Sequence, residues 1–299
     1  MIKLFWNSHN QNKPNPNKPN DKKDKDYIWG LYHKNNSDKW IYEILAKIQF
    51  QEIQSEKELE SDDILIVVDS SVEEKSEFYV KLKFICSKIY LIHLGDEGGT
   101  EDTNLVYNYC KHVWRTFGLP KYFNNEKITC IPIGYKSRPN FQNKEIIKRK
   151  FLWSFMGTIH GASRYDLIHQ NQNLKPNFIN KTSSFASGES LDSEKYYEIL
   201  YDSIFIMVPH GYIHPESYRL YEALEAGCVP IIENPHNFYD NFLPKNPLIK
   251  INLWKESSEI IKKLFNDKNK LKEKSNEINL WWKNYKKNLQ NQFKSKINV

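Results

Sequence analysis

Cysteine is scarce: four residues in 299 (Cys86, Cys110, Cys130, Cys228), with no Cys-x-x-Cys pair. That excludes a disulfide framework and a zinc ribbon, and it favours a reducing compartment. Long apolar runs are missing too. The longest purely aliphatic stretch covers residues 64–68, far short of the ~20 residues of a membrane-spanning helix. The opening residues, Met1 to Trp6, are not followed by the apolar segment of a secretory leader. A soluble, cytoplasmic chain is the expectation. Arginine is rare as well, at five residues against 38 lysines. Where lysine is the default cation, each arginine is a candidate for a place that needs guanidinium geometry.

What is present supports a folded protein. Apolar residues make up 39% and aromatics 14%, so a sizeable core can be buried and a wholly disordered chain is excluded. The formal net charge is +6, but residues 255–299 hold 12 lysines against 5 acidic residues. The rest of the chain is therefore close to neutral, and no nucleic-acid partner is expected from charge.

Residues 7–26 are a low-complexity run of Asn, Lys, Pro and Asp, read as a loop. The Asp24-Lys25-Asp26 triplet inside it resembles a metal-binding Asp-x-Asp, but no strand precedes it, and no metal is expected. The pattern then alternates. Helical spacing over residues 38–50 precedes apolar strands at 64–69, 88–94 and 128–133, with helices expected at 71–87 and 102–117. A polar, basic stretch at 136–150 is the expected linker. The second half alternates again, with strands at 151–156, 177–179, 204–208, 228–232 and 248–252. Helices are expected from 163, at 193–201 and 216–226, and over 255–294. This implies an α/β protein of two Rossmann-like domains, residues 1–145 and 146–299, whose parallel sheets face a cleft. Ligands of such sheets bind at the carboxyl ends of strands.

Three strand-to-loop segments can carry chemistry. In the span from Pro209 to Ile232, a strand opens into the loop His210-Gly211 and then a helix start. Backbone N–H groups there favour an anion such as a diphosphate. Ser217 adds a hydroxyl, Arg219 a bidentate phosphate contact, and Glu222, three residues on, a carboxylate able to accept from two ribose hydroxyls. A capped amphipathic helix with an Arg–Glu surface pair is the alternative. The second segment, Phe155-Met-Gly-Thr-Ile-His-Gly-Ala-Ser-Arg, repeats the pattern around Gly157 and Thr158. It places Arg164 in a first helical turn, where a cation opposes the helix dipole and suits an anion better. The third is His93-Leu-Gly-Asp96-Glu97. A carboxylate on that loop can deprotonate an attacking hydroxyl, and a solvated acidic turn is the alternative. Arg115, read as lying on the helix that follows, orients the loop, contacts the ligand, or is a surface residue. His93, His160, His210 and His214 lie in or beside these loops without metal-ligand spacing. A stripe of Trp281, Trp282, Tyr285 and Leu289 is read as packing the last helix onto the body.

The span Ser217-x-Arg219-x-x-Glu222-Ala-Leu-x-Ala-Gly-Cys-Val-Pro resembles the signature of exostosin-like glycosyltransferases, most of all their ribitol xylosyltransferase branch. Trp29-Gly30, His93-Leu-Gly-Asp-Glu, Ile131-Pro-Ile-Gly-Tyr, Phe155-Met-Gly-Thr-Ile, Tyr218-Arg-Leu-Tyr-Glu and Leu253-Trp254-Lys255 occur in the family's order. The resemblance implies a GT-B fold with long C-terminal helices, inversion at the anomeric carbon, and a UDP-sugar bound mainly by the C-terminal half. It implies no obligatory metal and no cofactor beyond the substrate. On matching positions, Ser217, Arg219 and Glu222 become donor contacts. Gly157 and Arg164 approach the diphosphate, and Asp96 or Glu97 is the base. Thr158, His210, Gly211 and Tyr218 belong to the same donor loops, and His93 and Arg115 to the acceptor-side loop.

The expected function is thus metal-independent, inverting transfer of a sugar, xylose as first choice, from a UDP-sugar to a hydroxyl of an oligosaccharide or glycan. The alternatives are a UDP-hexose or GDP-fucose donor, a nucleotide-sugar-binding module without catalysis, or a basic nucleic-acid-binding protein.

Overall fold

Short apolar runs separated by amphipathic segments cannot bury themselves singly; paired in parallel and covered by their own crossover helices, they can. The computed structural model of the chain, which describes residues 1–7, 37–136, 144–183 and 189–297, shows this solution twice. The chain divides into two compact units, one of residues 1–133 and 288–299, the other of residues 134–287.

In unit 1 the strands are β1 (Ile2–Trp6), β2 (Gln51–Ile53), β3 (Ile64–Asp69), β4 (Lys88–His93), β5 (His112–Arg115) and β6 (Ile128–Cys130). They form one sheet in the order β2-β1-β3-β4-β5-β6, with every pairing parallel. Residues 37–44 are helical (α1), followed by α2 (Ser76–Ile85) and α3 (Asn104–Tyr109). Phe5, Leu65, Val67, Tyr79, Leu82, Leu91 and Val113 share one core.

Two parts of this unit depart from the sequence reading. The opening residues form a central strand, β1, in register with both β2 and β3. The helix expected over 102–117 stops at Tyr109. Cys110 turns extended and His112–Arg115 becomes β5, all four residues buried. Val113 and Trp114 are apolar towards both faces of the sheet, and pairing with β4 and β6 outweighs the helical period. Arg115 is therefore a buried strand residue and not a helical one.

Unit 2 contains β7 (Phe151–Thr158), β8 (Asn177–Thr182), β9 (Ser203–Val208), β10 (Val229–Glu233) and β11 (Ile249–Ile251), ordered β11-β10-β9-β7-β8. Again every pairing is parallel. Its helices are α4 (Gly161–Asn171), α5 (Ser193–Tyr201), α6 (Tyr218–Glu225), α7 (Phe238–Phe242), α8 (Ser257–Asn266) and the start of α9 (Lys268–Ile297). Both sheets reverse direction beside their first strand, at β1/β3 and at β7/β9. A crevice opens at the carboxyl ends there because successive crossovers leave to opposite sides.

The units divide at residues 133/134, ahead of the 145/146 boundary read from sequence, and residues 288–299 go with unit 1. The end of α9 explains the latter: Phe293 stacks on Trp114 at 4.0 Å, and Tyr90 Oη donates to Lys296 O at 3.2 Å. The described end of the expected linker is packed on unit 2, where the Arg149 guanidinium donates to Ser203 O at 2.9 Å and Ala226 O at 2.7 Å. Trp282 and Leu289 are buried, and Trp282 Nε1 donates to Glu225 Oε1 at 2.6 Å, so the aromatic stripe of α9 is a packing face. Asp24-Lys25-Asp26 and Trp29-Gly30 lie outside the described residues, as does most of the 7–26 tract. No described helix is long and apolar enough to cross a membrane.

His112 on β5 gives this fold a pH signature. Burial, then the charge of Lys296, brings its imidazole down to about 4. Below its ordinary value the unfolded chain takes up a proton that the folded chain refuses, so stability falls as pH drops towards 4. The share is at most about 3 kcal/mol. The urea midpoint should fall less between pH 7 and 4.5 in His112→Gln than in the unmodified protein.

Candidate functional site

At the β7/β9 reversal the strand ends meet two arginines from the two following helices. The Arg219 guanidinium, on α6, donates through Nη2 to Met156 O at 2.7 Å and lies 4.7 Å from the Phe155 ring centre. Gly157 sits at φ +146, and a Cβ there would approach Arg219 Nη2 to 2.4 Å. The backbone there disfavours any side chain, and one placed there would displace the guanidinium. Arg164, in the first turn of α4, donates through Nη1 to Thr158 O at 2.7 Å and through Nη2 to His210 O at 3.0 Å. It thus ties together the loops after β7 and β9.

Both arginines keep a buried Nε without a hydrogen-bond partner. Among the described residues neither has a carboxylate within 4.0 Å. Burial, then repulsion from Arg219, lowers Arg164 to about 9, and Glu233 offsets part of this; the group stays charged at neutral pH. Two like charges brought together, one buried and one half-buried, with no direct carboxylate contact are costly. The α4 N-terminus adds to the same field, because its N-cap, His160, makes no side-chain cap and the orphan N–H groups of the first turn stay available. A Cβ on Gly161 would meet nothing within 4 Å. Burial, then Arg164, keeps the His160 pKa below its ordinary range, and its Nε2 is buried without a partner. The arrangement suits an anion carrying two or more charges.

A second tier of polar contacts holds these pieces. Glu233 Oε2 accepts from Ser163 Oγ at 2.7 Å and from His210 N at 3.2 Å. Ser163 Oγ in turn accepts from Trp254 Nε1 at 2.9 Å. Sequence reasoning missed Glu233. Its signal was a carboxylate closing an apolar strand at the carboxyl edge of the sheet. Gly211 packs so closely that a Cβ would lie 2.4 Å from Glu216 O, and His210 Nδ1 stands 2.7 Å from Gly211 O.

At the start of α6, Ser217 makes no side-chain cap, and its Oγ accepts from Arg219 Nη1 at 3.5 Å. Tyr218 lies under the Lys136 ammonium, 5.3 Å from its ring centre. Glu222 is buried and accepts from Tyr196 Oη at 2.5 Å. Burial depresses the Lys136 pKa, with the Glu222 charge opposing and Arg219 reinforcing the shift. The surface Arg–Glu pair on a capped helix is thereby excluded: α6 lacks the cap, and Glu222 faces inward.

In unit 1 the Asp96 carboxylate is spent on its own loop. With φ at +65, it accepts from Thr100 N at 2.7 Å, Glu101 N at 3.2 Å and Arg115 Nη2 at 3.2 Å. Its side chain is 3% exposed, so it is not a solvated turn. Glu97 beside it is half-buried. Arg115 Nη1 also donates to Tyr107 Oη at 3.4 Å, which lies 2.8 Å from Nδ1 of the buried His93. Arg115 and His93 therefore brace the loop. Gly95 passes the β3 loop so closely that a Cβ would lie 2.0 Å from Ser70 O. Asp69, at the β1/β3 reversal, accepts from Asn7, Lys75 and Tyr79. Among the described residues no group of three or more His, Cys, Asp or Glu can hold a metal ion.

Residues 135–299, which contain the arginine pair, match the family model described as the RXYLT1 C-terminal domain. The chain belongs to that family. It is also similar to ribitol-5-phosphate xylosyltransferase 1 of Danio rerio, 23% identical over 202 residues, covering 58% of this chain and 46% of that protein. The chain thus spans about half the length of this relative. Among solved structures, the crystal structure of an α1,3-fucosyltransferase matches with a TM-score of 0.53 at 12% identity, covering 100% of this chain and 90% of that one. Two parallel-sheet α/β units with a long C-terminal helix make this a GT-B fold.

The Gly157 contact gives a sharp test of the arginine pair. Gly157→Ala should push the Arg219 guanidinium off Met156 O while sparing the core. Its affinity for inorganic pyrophosphate, read by calorimetry, should fall about tenfold or more, as in Arg219→Gln.

Proposed function

We propose that this chain is an inverting glycosyltransferase that moves xylose from UDP-xylose to a hydroxyl of a glycan acceptor without a metal. The observation that carries the reading is the pair of buried Arg164 and half-buried Arg219, neither in an ion pair among the described residues, at the carboxyl ends of β7 and β9 beside the uncapped start of α4. Transfer breaks the bond between the anomeric carbon and the diphosphate oxygen, so negative charge grows on the leaving UDP. Fixed donors already in place stabilise that charge without reorganisation. The two guanidinium groups and the α4 N–H groups supply the positive field, and in this reading they take the part a metal would otherwise play. Glu222, held by Tyr196, accepts from ribose hydroxyls, and Ser217 adds a hydroxyl at the diphosphate.

The acceptor hydroxyl attacks opposite the leaving group. Its oxygen bonds to the anomeric carbon, and its proton passes to a carboxylate. Asp96 and Glu97 are the candidates, on a loop that Thr100, Glu101 and Arg115 hold through the Asp96 carboxylate. The family and the name of the fish relative support a xylosyl donor. Another UDP-hexose or GDP-fucose remains the rival donor, and a nucleotide-sugar-binding module the rival function. Four free cysteines accord with a reducing compartment, for which we propose the cytoplasm.

A donor panel tests the reading. UDP-xylose should be turned over in preference to UDP-hexoses and GDP-fucose, with chelator leaving the rate unchanged. Asp96→Asn and Glu97→Gln, made separately, identify the base: the variant that removes it should lower transfer about a hundredfold at unchanged UDP affinity, on the usual scale of general-base effects. Silence across the panel with UDP still bound would favour the binding module. Undiminished transfer in both variants would place the base outside this loop.

A further inference from the structure

The loop between β9 and α6 displays two side chains that the anion site does not use. Tyr212 is 75% and Ile213 64% exposed. Their backbone is nevertheless pinned on both sides. His210 N donates to Glu233 and His210 O accepts from Arg164. Downstream, Glu216 N donates to His214 Nδ1 at 3.1 Å and Tyr239 Oη to Pro215 O at 2.9 Å. His214 is buried, edge-on to Phe238 at 4.9 Å. Gly211 is in contact with the backbone of Glu216 and His214. The loop is a rigid stem with an aromatic ring at its tip, so using that ring costs little ordering entropy.

The ring also has a defined neighbour. It meets His160 at 5.3 Å between ring centres, with the planes at 67°. His160 is the N-cap of α4, immediately before the turn that carries Arg164, and its Nε2 is the buried, unpartnered nitrogen noted above. The exposed aromatic face therefore stands beside the helix start and arginine pair of the anion site.

We propose that Tyr212 is the stacking platform for the base of a nucleoside diphosphate whose phosphates lie on Arg164 and Arg219. The assignment rests on the reading of that pair as a diphosphate site. A base presents a flat π-face suited to a tyrosine ring, and removing such a partner weakens binding roughly tenfold or more. The phosphates are already provided for by the guanidinium groups and the α4 N–H groups. A donor sugar is held chiefly through its several hydroxyls, to which Tyr212 offers a single phenol, whereas a base meets the whole ring face.

Calorimetry with UDP, uridine, inorganic pyrophosphate and UDP-xylose, on the unmodified chain, Tyr212→Ala and Tyr212→Phe, decides it. Tyr212→Ala should bind UDP and uridine at least about tenfold more weakly, pyrophosphate equally well, and Tyr212→Phe should behave as the unmodified chain. Because Tyr212 is exposed, its loss should leave the thermal midpoint unmoved. Unchanged UDP affinity in Tyr212→Ala overturns the proposal. So does an equal loss of pyrophosphate, which would mean the residue only shapes the arginine site. Weakening confined to UDP-xylose would assign the ring to the sugar and also overturn it. If pyrophosphate fails to bind the unmodified chain, the diphosphate reading falls, and the uridine arm still judges the platform on its own.

Discussion

Two guanidinium groups brought together without a direct carboxylate contact are the constraint around which unit 2 is arranged. Each spends part of its fork on main-chain carbonyls at the ends of β7 and β9, and each keeps an unused Nε. The carbonyl contacts fix where the positive charge sits; they do not cancel it. Glycine at 157 is required by the Arg219 side chain, and the bracing of the α4 start by Ser163, Glu233 and Trp254 keeps the second charge in register. A charge left unbalanced inside a protein destabilises it, so its retention here points to a ligand that completes the balance.

Other described arginines show the contrast. Arg115 meets Asp96 and Tyr107 and closes a loop. Arg149 donates to the carbonyls that end α6 and begin β9. Both use the planar fork as a brace within the fold, with their donors met from the chain itself. The same side chain is thus met by the chain itself in two places and keeps an unpartnered Nε in two others, and the difference lies in what the neighbouring backbone supplies. The scarcity of arginine in a lysine-rich chain was a fair guide to all four described positions, since all are buried or half-buried.

Much of this was legible in the residues. The helix over Ser193–Tyr201 and the strands β3, β4, β7, β9 and β10 follow from apolar runs and helical spacing, because burial of those runs admits few other arrangements. The glycine-containing loops that end β7 and β9 were readable for the same reason. The failures have local causes. β1 stands directly before a polar tract, so no alternation marked it. His112–Arg115 carries a pattern compatible with helix until β4 and β6 flank it, and with that the position of Arg115 was misread. Glu233 was missed because only its place at the end of an apolar strand marked it, while its role depends on Ser163 and His210, far from it in the chain.

By itself the sequence determined the class of architecture, two parallel α/β sheets, and the segments where strand ends become loops, since both depend on local periodicity and short-range turn chemistry. Which carboxylates and cations are spent and which are left over was decided only by the tertiary structure. Asp96 is consumed by its own turn and by Arg115, Glu222 turns inward to Tyr196, and Arg164 and Arg219 come together with Glu233 offsetting only part of the Arg164 shift. The reason is physical. The worth of a charge depends on its burial and on its nearest partners, and both are set by segments that meet only when the chain has folded.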